Sequence, residues 1–386
     1  MRVCGKRFDT GEVATVTVAG GRIAGIEPGA VRPDIGGTEV WLAPGFCDIQ
    51  INGYAGRDFN FDVWGQSVAS NGVLYDLRNL LAASGTALFC PTITTNSEQA
   101  IVGSLSAIAQ ALDADPPLER SIPGVHVEGP FIASEDGPRG AHPLEFVRDP
   151  DWSEFQRWQE AAGGRIRICT LAPERPGALP FIEKLSEAGV VAAIGHTAAE
   201  PEDIHNAVRA GARLSTHLGN GAHSLIRRHP NYIWEQLADD RLIASIITDG
   251  HHLPASVAKC IARVKGPDRL IVVSDAVSLG GLPPGLYHND RYEVLPSGRV
   301  NLAGTPYLAG AGHLLDTCVA NAVRFTDLTL AEVVNSVTAN PARLLGLDGR
   351  KGRIAVGLDA DLTLFHLPEE GPLRIEATFC AGERFH

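Results

Sequence analysis

Short apolar runs alternate with longer amphipathic stretches from residue 46 onward. Eight runs rich in β-branched residues predict strands at 46–51, 86–93, 122–129, 165–172, 190–197, 212–219, 243–250 and 270–277. Apolar residues at helical spacing between them predict helices at 67–84, 97–112, 179–188, 201–210 and 254–264. Near-continuous apolar runs are typical of parallel strands buried on both faces. Eight strand-then-helix units favour an α/β fold of the (β/α)8 TIM-type barrel class. An open doubly wound sheet is the alternative, but it rarely needs eight such units.

The two ends of the chain follow a different pattern. Residues 1–44 and 351–386 alternate apolar and polar positions between Gly-rich turns, which predicts β-hairpins. We expect both termini to pair into one small β-sandwich domain, while residues 45–350 form the barrel domain. The remaining predicted elements are a β-hairpin in the loop 278–308 at the barrel mouth and two helices that close the ring, 310–324 and 329–345.

Composition narrows the class of protein. A chain of 386 residues suits one large barrel with a small appendage better than three ordinary domains. Hydrophobic residues make up 44% of the chain and charged residues 20%, which is the composition of a soluble, core-forming protein. The net charge of −12 disfavours nucleic acid or an anionic membrane as the main partner. An anionic small molecule would need a local basic pocket.

Cysteine usage and the N-terminus indicate a compartment. The seven cysteines lie far apart in the sequence, and no CxxC spacing of a redox or zinc site occurs. Most of them lie in apolar runs, which predicts buried free thiols and a reducing environment. The N-terminal residues lack the apolar segment of a signal peptide, and no run approaches the ~18 apolar residues of a membrane span. We therefore expect a cytoplasmic protein.

Four ionisable residues stand where predicted strands end. Glu128 follows the string VHV, and Asp275 follows VVS; His196 lies in AIGHT and His217 in STHLGN. In a parallel α/β barrel the carboxyl ends of the strands meet at one face, where active sites are built. One carboxylate and two imidazoles form a ligand set for a catalytic divalent metal, and a nearby carboxylate could move protons for a metal-activated water. The alternatives are a salt-bridged structural Glu, hydrogen-bonded core histidines and a loop-bracing Asp.

Histidines in two predicted loops are further candidates. His142 lies beyond the third strand in PRGAHPLEF, and His251 and His252 follow the seventh strand in TDGHHLP. Their position at the predicted mouth of the barrel favours substrate contact, for His252 more than for His251. A surface role is the alternative for each of them.

The loop after the sixth strand has features of an anion site. Asn220 and Gly221 follow in the string HLGNGAH, and backbone N–H groups of a Gly-containing turn can cradle an anion. Arg227 and Arg228 come shortly after them. A solvated surface pair is one interpretation of these arginines, and a phosphate clamp in an otherwise acidic protein is the other.

These strings resemble the N-acetylglucosamine-6-phosphate deacetylases of the amidohydrolase superfamily over nearly the whole chain. The resemblance begins with APGFCDIQINGYAG, includes GVHVEGPFI, IGHT, THLGN, TDGHH and VSDA, and ends with TANPARLLGLDGRKGRIAVG. It implies a (β/α)8 barrel with a composite β-sandwich. It also implies that Glu128, His196 and His217 bind the metal. Asp275 matches the catalytic acid and base of the family.

Further residues match family positions that contact the substrate. These residues are Ala141, His142, Asn220, Gly221, His252, Leu302, Ala303 and Gly304. In relatives an arginine and a histidine from the partner subunit hold the substrate phosphate. Arg228 and His252 match those two positions best, so the resemblance implies a homodimer. The implied partner is a small N-acetyl amino sugar phosphate.

The chain departs from the superfamily pattern in two places. Many amidohydrolases carry His-x-His at the end of the first strand and bind a second metal there, whereas this chain has Gln50 and Asn52. An amide is a poor ligand for zinc or iron beside imidazole, so we expect one divalent metal per subunit, Zn²⁺ or another divalent ion. Residues 227–240 replace a short Gly-Arg-Pro-like segment of the family, which leaves the sugar and the need for phosphate open.

Our hypothesis for the reaction is hydrolysis of an N-acetylhexosamine 6-phosphate, first of all N-acetylglucosamine 6-phosphate, to acetate and the amino sugar phosphate. Asp275 takes a proton from the metal-activated water and later protonates the leaving nitrogen, while the metal and His142 stabilise the oxyanion. Alternative substrates are N-acetylgalactosamine 6-phosphate, an unphosphorylated N-acetyl sugar and an N-acyl amino acid. A non-catalytic barrel scaffold is the alternative from another class; it predicts erosion of the ligand set, which is intact in this chain.

Overall fold

The computed structural model describes residues 1–60, 71–305 and 307–386. Its strands are β1 (Arg2–Arg7), β2 (Val13–Ala19), β3 (Arg22–Pro28), β4 (Ile35–Pro44), β5 (Phe46–Ile51), β6 (Gly53–Tyr54), β7 (Arg57–Asp58), β8 (Thr86–Thr94), β9 (Val125–Glu128), β10 (Ile166–Leu171), β11 (Val191–Ile194), β12 (Leu214–Ser215), β13 (Ile243–Ile247), β14 (Leu270–Val273), β15 (Gly285–Tyr287), β16 (Tyr292–Val294), β17 (Val300–Leu302), β18 (Leu362–His366), β19 (Arg374–Cys380) and β20 (Glu383–Arg384). Its helices are α1 (Asn71–Ala82), α2 (Glu98–Ala114), α3 (Pro116–Ser121), α4 (Trp152–Ala161), α5 (Ala178–Glu187), α6 (Pro201–Ala210), α7 (Tyr232–Ala238), α8 (Ala255–Lys265), α9 (Leu315–Phe325), α10 (Leu330–Ser336) and α11 (Ala339–Leu344).

Eight parallel strands form the wall of a barrel. Their order is β14-β13-β12-β11-β10-β9-β8-β5, so each strand lies beside the next one along the chain. The wall closes where β14 returns to β5, since the Asp275 N–H donates to Gln50 O at 2.9 Å. Helices such as α2 follow the strands and turn a buried apolar face inward. This architecture confirms the predicted (β/α)8 barrel.

The strands lie where the apolar runs predict them, but several end earlier. The run 212–219 contains only Leu214–Ser215 as a strand. The reason is that His196, His217 and Asp275 adopt left-handed backbone conformations, with φ of 50°, 30° and 49°. An extended strand cannot contain such residues. The chain therefore turns at the residues that the sequence marks for chemistry.

The predicted helix 329–345 is wrong as a single element, because it is divided into α10 and α11. Pro341 has no N–H to donate, and in a continuous helix its ring would clash with the carbonyl group of Val337. The helix therefore breaks at Val337 and Thr338, whose φ values of −114° and −135° are not helical. The Thr338 hydroxyl donates to Val334 O at 2.7 Å and satisfies a carbonyl at the break.

Two other predicted helices differ at their starts. The helix predicted at 310–324 begins at Leu315, because Gly310 has a φ of 83° and interrupts the regular backbone. The helix predicted at 67–84 is α1, described from Asn71. The first residues of that prediction, 67–70, lie outside the described residues.

The two ends of the chain share one seven-stranded sheet in the order β20-β19-β18-β4-β1-β2-β3. The strand β4 joins the ends, because it pairs in parallel with β1 and antiparallel with β18. The other pairs in this sheet are antiparallel. The sheet confirms the composite β-domain of the predicted fold, whereas the division into residues 1–44 with 351–386 and residues 45–350 stays a prediction.

Between β14 and α9 the chain forms a small separate sheet, and we call residues 278–305 the flap. The predicted β-hairpin is present and one more strand joins it, since three antiparallel strands pair in the order β15-β16-β17. The additional strand is possible because His288, Asn289 and Asp290 all have positive φ, which turns the chain tightly between β15 and β16.

Apolar side chains fill the barrel below the strand ends. One buried cluster combines Cys47 and Ile49 of β5 with side chains of β8, β10 and later strands. All seven cysteines are free and six of them are buried, with Cys260 exposed, so the predicted thiol state is confirmed. Within residues 1–60, 71–305 and 307–386, we find no helix that combines the length and the apolar character of a membrane-spanning segment.

Candidate active site

Three side chains at the carboxyl ends of β9, β11 and β12 converge on one point. Glu128 Oε1 lies 3.2 Å from His196 Nε2 and 3.0 Å from His217 Nε2, and the two Nε2 atoms are 3.0 Å apart. All three residues are buried, with exposed fractions of 3%, 7% and 3%. We call these residues the triad. Among the described residues it is the only group of three or more His, Cys, Asp or Glu side chains with metal-binding spacing.

The backbone aims the triad inward at an energetic cost. Glu128 is the last residue of β9, whereas His196 and His217 each lie two residues beyond their strands, in left-handed conformations. Non-glycine residues in this region are uncommon and cost of the order of 1 kcal/mol or more each. Asp275, two residues beyond β14, has the same conformation. Such strained residues cluster at functional sites, which supports a functional assignment for this strand-end group.

The hydrogen bonds of His196 test whether the triad fits a metal ion. Its Nδ1 donates to Pro138 O at 2.8 Å, because a carbonyl oxygen can only accept. A neutral His196 then presents the lone pair of Nε2 to Glu128 and to His217. Lone pairs and a carboxylate that converge within about 3 Å suit a shared cation, and a bond from Nδ1–H to a carbonyl is the usual partner of a metal-ligating imidazole. The triad therefore fits a divalent metal.

The electrostatics of the triad are those of a cation site. Burial opposes ionisation of Glu128, but hydrogen bonds with His196 and His217 hold its pKa well below the usual range. Burial alone would lower the pKa of His217, yet its hydrogen bond with Glu128 and the negative charges of Glu128 and Asp275 together outweigh this effect and raise it. The same negative potential that favours a proton on His217 attracts a metal cation.

Gln50 and Asn52 turn their amide NH2 groups toward carboxylates. Gln50 Nε2 donates to Glu128 Oε1 at 2.9 Å and to Asp275 Oδ1 at 3.3 Å, and Asn52 Nδ2 donates to Asp275 Oδ1 at 2.8 Å. An NH2 group has no lone pair to offer a metal. Both side chains are buried and brace the two carboxylates, which supports the prediction of a site for one metal.

Asp275 lies beside the triad and is linked to it through Gln50. Burial, followed by the negative charge of Glu128, raises the pKa of Asp275 to about 6. The hydrogen bond from Asn52 acts in the opposite direction. A carboxyl group with a pKa near neutrality can both take up and release a proton during turnover.

His142 stands against the triad from the loop that follows β9. Its ring centroid lies 4.3 Å from that of His196 in an edge-to-face arrangement, and its Nδ1 is 2.7 Å from Thr95 Oγ1. Burial and the neighbouring His196 lower the pKa of His142 to about 3. The imidazole is therefore neutral at physiological pH. Ala141, which precedes it, is exposed.

His252 reaches the site from the loop after β13, held by a carboxylate. Asp249 Oδ2 accepts from His252 Nδ1 at 2.8 Å, and Asp249 Oδ1 accepts the backbone N–H groups of His251 and His252 at 2.8 and 2.9 Å. Burial opposes the charge on Asp249, but these bonds and the charge of His252 lower its pKa strongly. Asp249 thus fixes the orientation of the His252 ring through Nδ1.

The loop after β12 covers His196 with backbone. A Cβ atom added at Gly221 would lie 2.8 Å from His196 Nδ1, so only glycine allows this approach. The φ of Gly221, 56°, is also one that favours glycine. Asn220 is partly buried, and its Nδ2 donates to His217 O at 3.2 Å. Both residues are thus beside the triad, as a substrate-contacting role requires.

Four predicted substrate residues lie in surface segments of the chain. Arg228 is exposed, like Arg227, in the segment before α7. Leu302, Ala303 and Gly304 lie at the end of β17 in the flap, and Gly304 is exposed. The hydrogen bonds from the N–H groups of Leu302 and Ala303 go to Tyr307 O and Arg291 O. The substrate roles of these residues stay predictions.

Two supporting carboxylates are absent from the sequence-based candidates. Glu174 follows β10 and accepts from the Thr197 hydroxyl at 2.6 Å and from Ala198 N at 2.7 Å, so it braces the residues directly after His196. Asp249 orients His252, as described above. Glu174 follows the predicted strand 165–172 in LAPE, and Asp249 lies at the end of the predicted strand 243–250 in ITDG. A position at a strand end is the signal that could have identified them.

Comparison with known proteins agrees with this geometry. A family model described as "Amidohydrolase family" matches residues 41–384. The N-acetylglucosamine-6-phosphate deacetylase of Bacillus subtilis (strain 168) is 33% identical over 345 residues, which cover 88% of this chain and 83% of that protein. The N-acetylgalactosamine-6-phosphate deacetylase of Escherichia coli O157:H7 is 32% identical over 346 residues, which cover 89% of this chain and 88% of that protein.

A solved structure extends the similarity to three dimensions. The N-acetyl-D-glucosamine-6-phosphate deacetylase from Mycobacterium smegmatis aligns with a TM-score of 0.88 and 30% identity, over 100% of this chain and 99% of that one. The amidohydrolase family is metal-dependent, and the triad is the group that could hold the ion among the residues described. With fold, strand-end site and relatives in agreement, the chain belongs to the N-acetylglucosamine-6-phosphate deacetylase family of the amidohydrolases.

Proposed function

We propose that this enzyme removes the acetyl group from an N-acetylhexosamine 6-phosphate, with N-acetylglucosamine 6-phosphate as the first candidate. The observation that supports it most strongly is the triad with Asp275 beside it, in a chain related over most of its length to deacetylases of these sugars. Water supplies the oxygen that joins the acetyl carbon, and the amide C–N bond breaks. The products are acetate and the free amine of the sugar phosphate.

The metal in this proposal is one Zn²⁺ per subunit, held by Glu128, His196 and His217. Two imidazoles and one carboxylate form a ligand set found in catalytic zinc sites. When bound, such an ion polarises a carbonyl group and lowers the pKa of water toward ~7. The amide NH2 groups of Gln50 and Asn52, directed at carboxylates, support one ion and not two.

Asp275 carries the proton in this proposal. As a carboxylate it accepts a proton from the water that attacks the acetyl carbon, and it then delivers that proton to the nitrogen as the C–N bond breaks. The Asn52 amide holds Oδ1 in place at 2.8 Å, which leaves the other oxygen for this transfer.

His142 stabilises the negative charge on the acetyl oxygen in this proposal. A neutral ring that accepts the Thr95 hydroxyl at Nδ1 carries its proton on Nε2. That N–H can donate to an oxyanion without a change in charge.

The rim of the barrel binds the rest of the substrate in this proposal. Backbone groups at Ala141 and Gly221 and the side chains of Asn220 and His252 contact the sugar, and Leu302, Ala303 and Gly304 close over it. Arg228 binds the phosphate across a homodimer interface; its exposure in its own chain leaves it free to reach a neighbouring subunit. Buried free cysteines support a reducing, cytoplasmic location.

A second substrate has specific support. The relative that acts on N-acetylgalactosamine 6-phosphate is 32% identical, close to the 33% of the relative that acts on the glucosamine epimer. The two sugars differ only in the configuration of one hydroxyl group, and the same acetyl amide is cleaved in both.

Acetate release from four substrates tests the proposal. The zinc-loaded protein would be assayed with both N-acetylhexosamine 6-phosphates, unphosphorylated N-acetylglucosamine and an N-acetyl amino acid. Turnover of a phosphosugar with kcat/KM at least about tenfold above the unphosphorylated sugar is expected, since one charge-assisted contact contributes about 1.5–3 kcal/mol. Equal rates with and without phosphate would contradict the phosphate site. No acetate from any substrate, with zinc bound, would contradict the deacetylase assignment.

A further inference from the structure

We propose that His223 is a positioning residue that holds together two loops around His196. We call the link from Glu135 through His223 to Tyr232 the clasp. The first loop, residues 129–143, follows β9, and the second, residues 216–231, follows β12. The proposal rests on the triad as the metal site, but it concerns residues outside the triad.

Both loops form walls against the His196 ring. From the first loop, Pro138 O accepts from Nδ1 at 2.8 Å, and a Cβ atom added at Gly140 would lie 3.3 Å from Cε1. From the second loop, a Cβ atom added at Gly221 would lie 2.8 Å from Nδ1. Backbone from both loops therefore encloses the His196 ring, and the two glycines have no side chains that could hold the loops together.

His223 provides the link between the two loops. Its Nε2 lies 3.0 Å from Glu135 Oε2 in the first loop. Its backbone N–H donates to the Tyr232 hydroxyl at 2.9 Å, and its Nδ1 lies 3.0 Å from the same oxygen. One side chain thus joins the loop after β9 to the start of α7.

The protons of this network have one consistent arrangement with a neutral imidazole. The Tyr232 oxygen accepts the backbone N–H of His223, so its own proton is free to be donated to Nδ1. Nδ1 then acts as an acceptor, and the ring proton is on Nε2. That N–H points to the Glu135 carboxylate, which makes a charge-assisted hydrogen bond between the loops.

Close packing reinforces the clasp. A Cβ atom added at Gly137 would lie 3.0 Å from His223 Cα and 3.1 Å from Ala222 O, so the two loop backbones touch at this point. Gly137 also has a φ of 93°, which a larger residue would not adopt readily.

The clasp is anchored in the body of the barrel. Tyr232 is 5% exposed and begins α7, whose N-terminus is capped by Asn231 through its side-chain oxygen. Glu135, in contrast, is exposed, so its removal does not disturb the core. Loss of the link therefore frees the first loop from a fixed support, and the carbonyl of Pro138 then holds His196 less firmly.

The test compares His223→Ala and Glu135→Ala with wild type. Zinc-loaded protein is mixed with an excess of a zinc-binding dye, and the rate of metal transfer is followed; KM and kcat are measured separately at saturating zinc. Removing partners of a metal-ligating histidine lowers metal affinity about 10–100-fold, and this more distant link should accelerate release about 3–10-fold. KM should rise about two- to fivefold, because Asn220 and Gly221 lie in the second loop, with kcat within about twofold.

A matched pair on the outside of the barrel provides the control. His205 Nε2 lies 3.0 Å from Glu235 Oε2, the same separation as in the clasp, but joins α6 to α7 away from the triad. His205→Ala should leave zinc release and KM unchanged. Glu135→Gln keeps an acceptor oxygen for His223 Nε2–H and should restore most of the wild-type rate of release.

Two outcomes would overturn the clasp. One is zinc release from Glu135→Ala and His223→Ala at the same rate as from His205→Ala. The other is additive acceleration in the double variant, because two residues of one link should together cost no more than either alone. If His223→Ala does not fold, the exposed Glu135 variants decide the question. Zinc release does not depend on the substrate, so the clasp can fail while the deacetylase assignment holds, and the reverse.

Discussion

The floor of this active site and its rim are built from different parts of the barrel. The floor consists of the triad and Asp275, each at a strand end, buried or partly buried and held by hydrogen bonds of 2.8–3.3 Å. The rim consists of the loops beyond the strand ends, including the flap and the segment before α7, where Leu225 is 91% exposed and Arg228 is exposed too.

This difference separates chemistry from recognition. Hydrogen bonds between neighbouring strands fix the strand ends, so the side chains there are held close together by the barrel itself. Loops over the mouth vary more freely and carry the contacts that distinguish substrates. Changes in the floor should therefore reduce metal binding and kcat, and changes in the rim should alter KM and leave the metal in place.

The largest effect is expected for His196→Ala. It removes one ligand from the triad, so metal content after dialysis should fall well below that of wild type. Turnover should fall by at least about 10⁴-fold, because water that is not activated by a metal ionises only near pH 15.7. Elemental analysis and acetate release check both values. If the variant keeps its metal and half of its activity, His196 is not a required metal ligand.

A somewhat smaller loss is expected for Asp275→Asn. General acid–base groups contribute about 10²–10⁴-fold, so kcat should fall by about 10³-fold while metal content stays at the wild-type level. This variant therefore separates the two functions of the floor, metal binding and proton transfer. Wild-type turnover in a folded, metal-loaded Asp275→Asn protein would show that another group moves the proton.

For the rim, Arg228→Ala should raise KM for the phosphosugar about 10–100-fold, the loss of one charge-assisted contact, with kcat within about threefold. Arg227→Ala, the adjacent exposed arginine, serves as the matched control and should have little effect. Steady-state kinetics with phosphorylated and unphosphorylated sugar give the comparison. An equal rise in KM for both sugars would mean that Arg228 does not read the phosphate.

The smallest effect on activity at neutral pH is expected for His126, a buried residue of β9. Its contribution is to the pH dependence of folding stability. Its Nε2 is 2.7 Å from Thr170 Oγ1, and burial lowers its pKa to about 4. Between pH 6.5 and 4 the unfolded chain binds a proton that the folded one excludes, so stability falls as the pH falls.

This one group should contribute about 3 kcal/mol to that loss, at 1.36 kcal/mol per pKa unit. Urea unfolding of wild type and His126→Gln at pH 7 and pH 4.5 measures it, and the variant should lose less stability on acidification. Arg228→Ala should follow wild type at both pH values. Identical pH dependence in wild type and His126→Gln would show that His126 is not held neutral.

The sequence predicts the floor much better than the rim, for a physical reason. A buried parallel strand needs a continuous apolar run, so its end is visible in the sequence, and Glu128 and Asp275 stand at such ends. The prediction of one helix at 329–345 was wrong because the apolar periodicity continues through Pro341. A continuous helical backbone does not, since proline lacks the N–H and clashes with the preceding turn. The flap gained a strand through three left-handed residues whose conformations no pattern of polarity reveals.

Long-range pairs were the hardest to predict. Glu135 and His223 are 88 positions apart in the sequence. They meet because the loops after β9 and β12 both pack against the imidazole of His196. Neither residue stands out in its own string. Glu174 was within reach of prediction, since it lies three residues beyond the end of β10, on the same face of the barrel where Glu128 ends β9.

The central claim is that one metal ion in the triad, with Asp275 beside it, carries the chemistry. Metal-stripped protein titrated with Zn²⁺, with acetate release from N-acetylglucosamine 6-phosphate measured at each step, tests it most directly. Activity should rise in proportion to added zinc and level off at one equivalent per chain, and Asp275→Asn should take up the same equivalent without gaining wild-type activity. Activity that levels off only at two equivalents, or full activity in the metal-free protein, would contradict it.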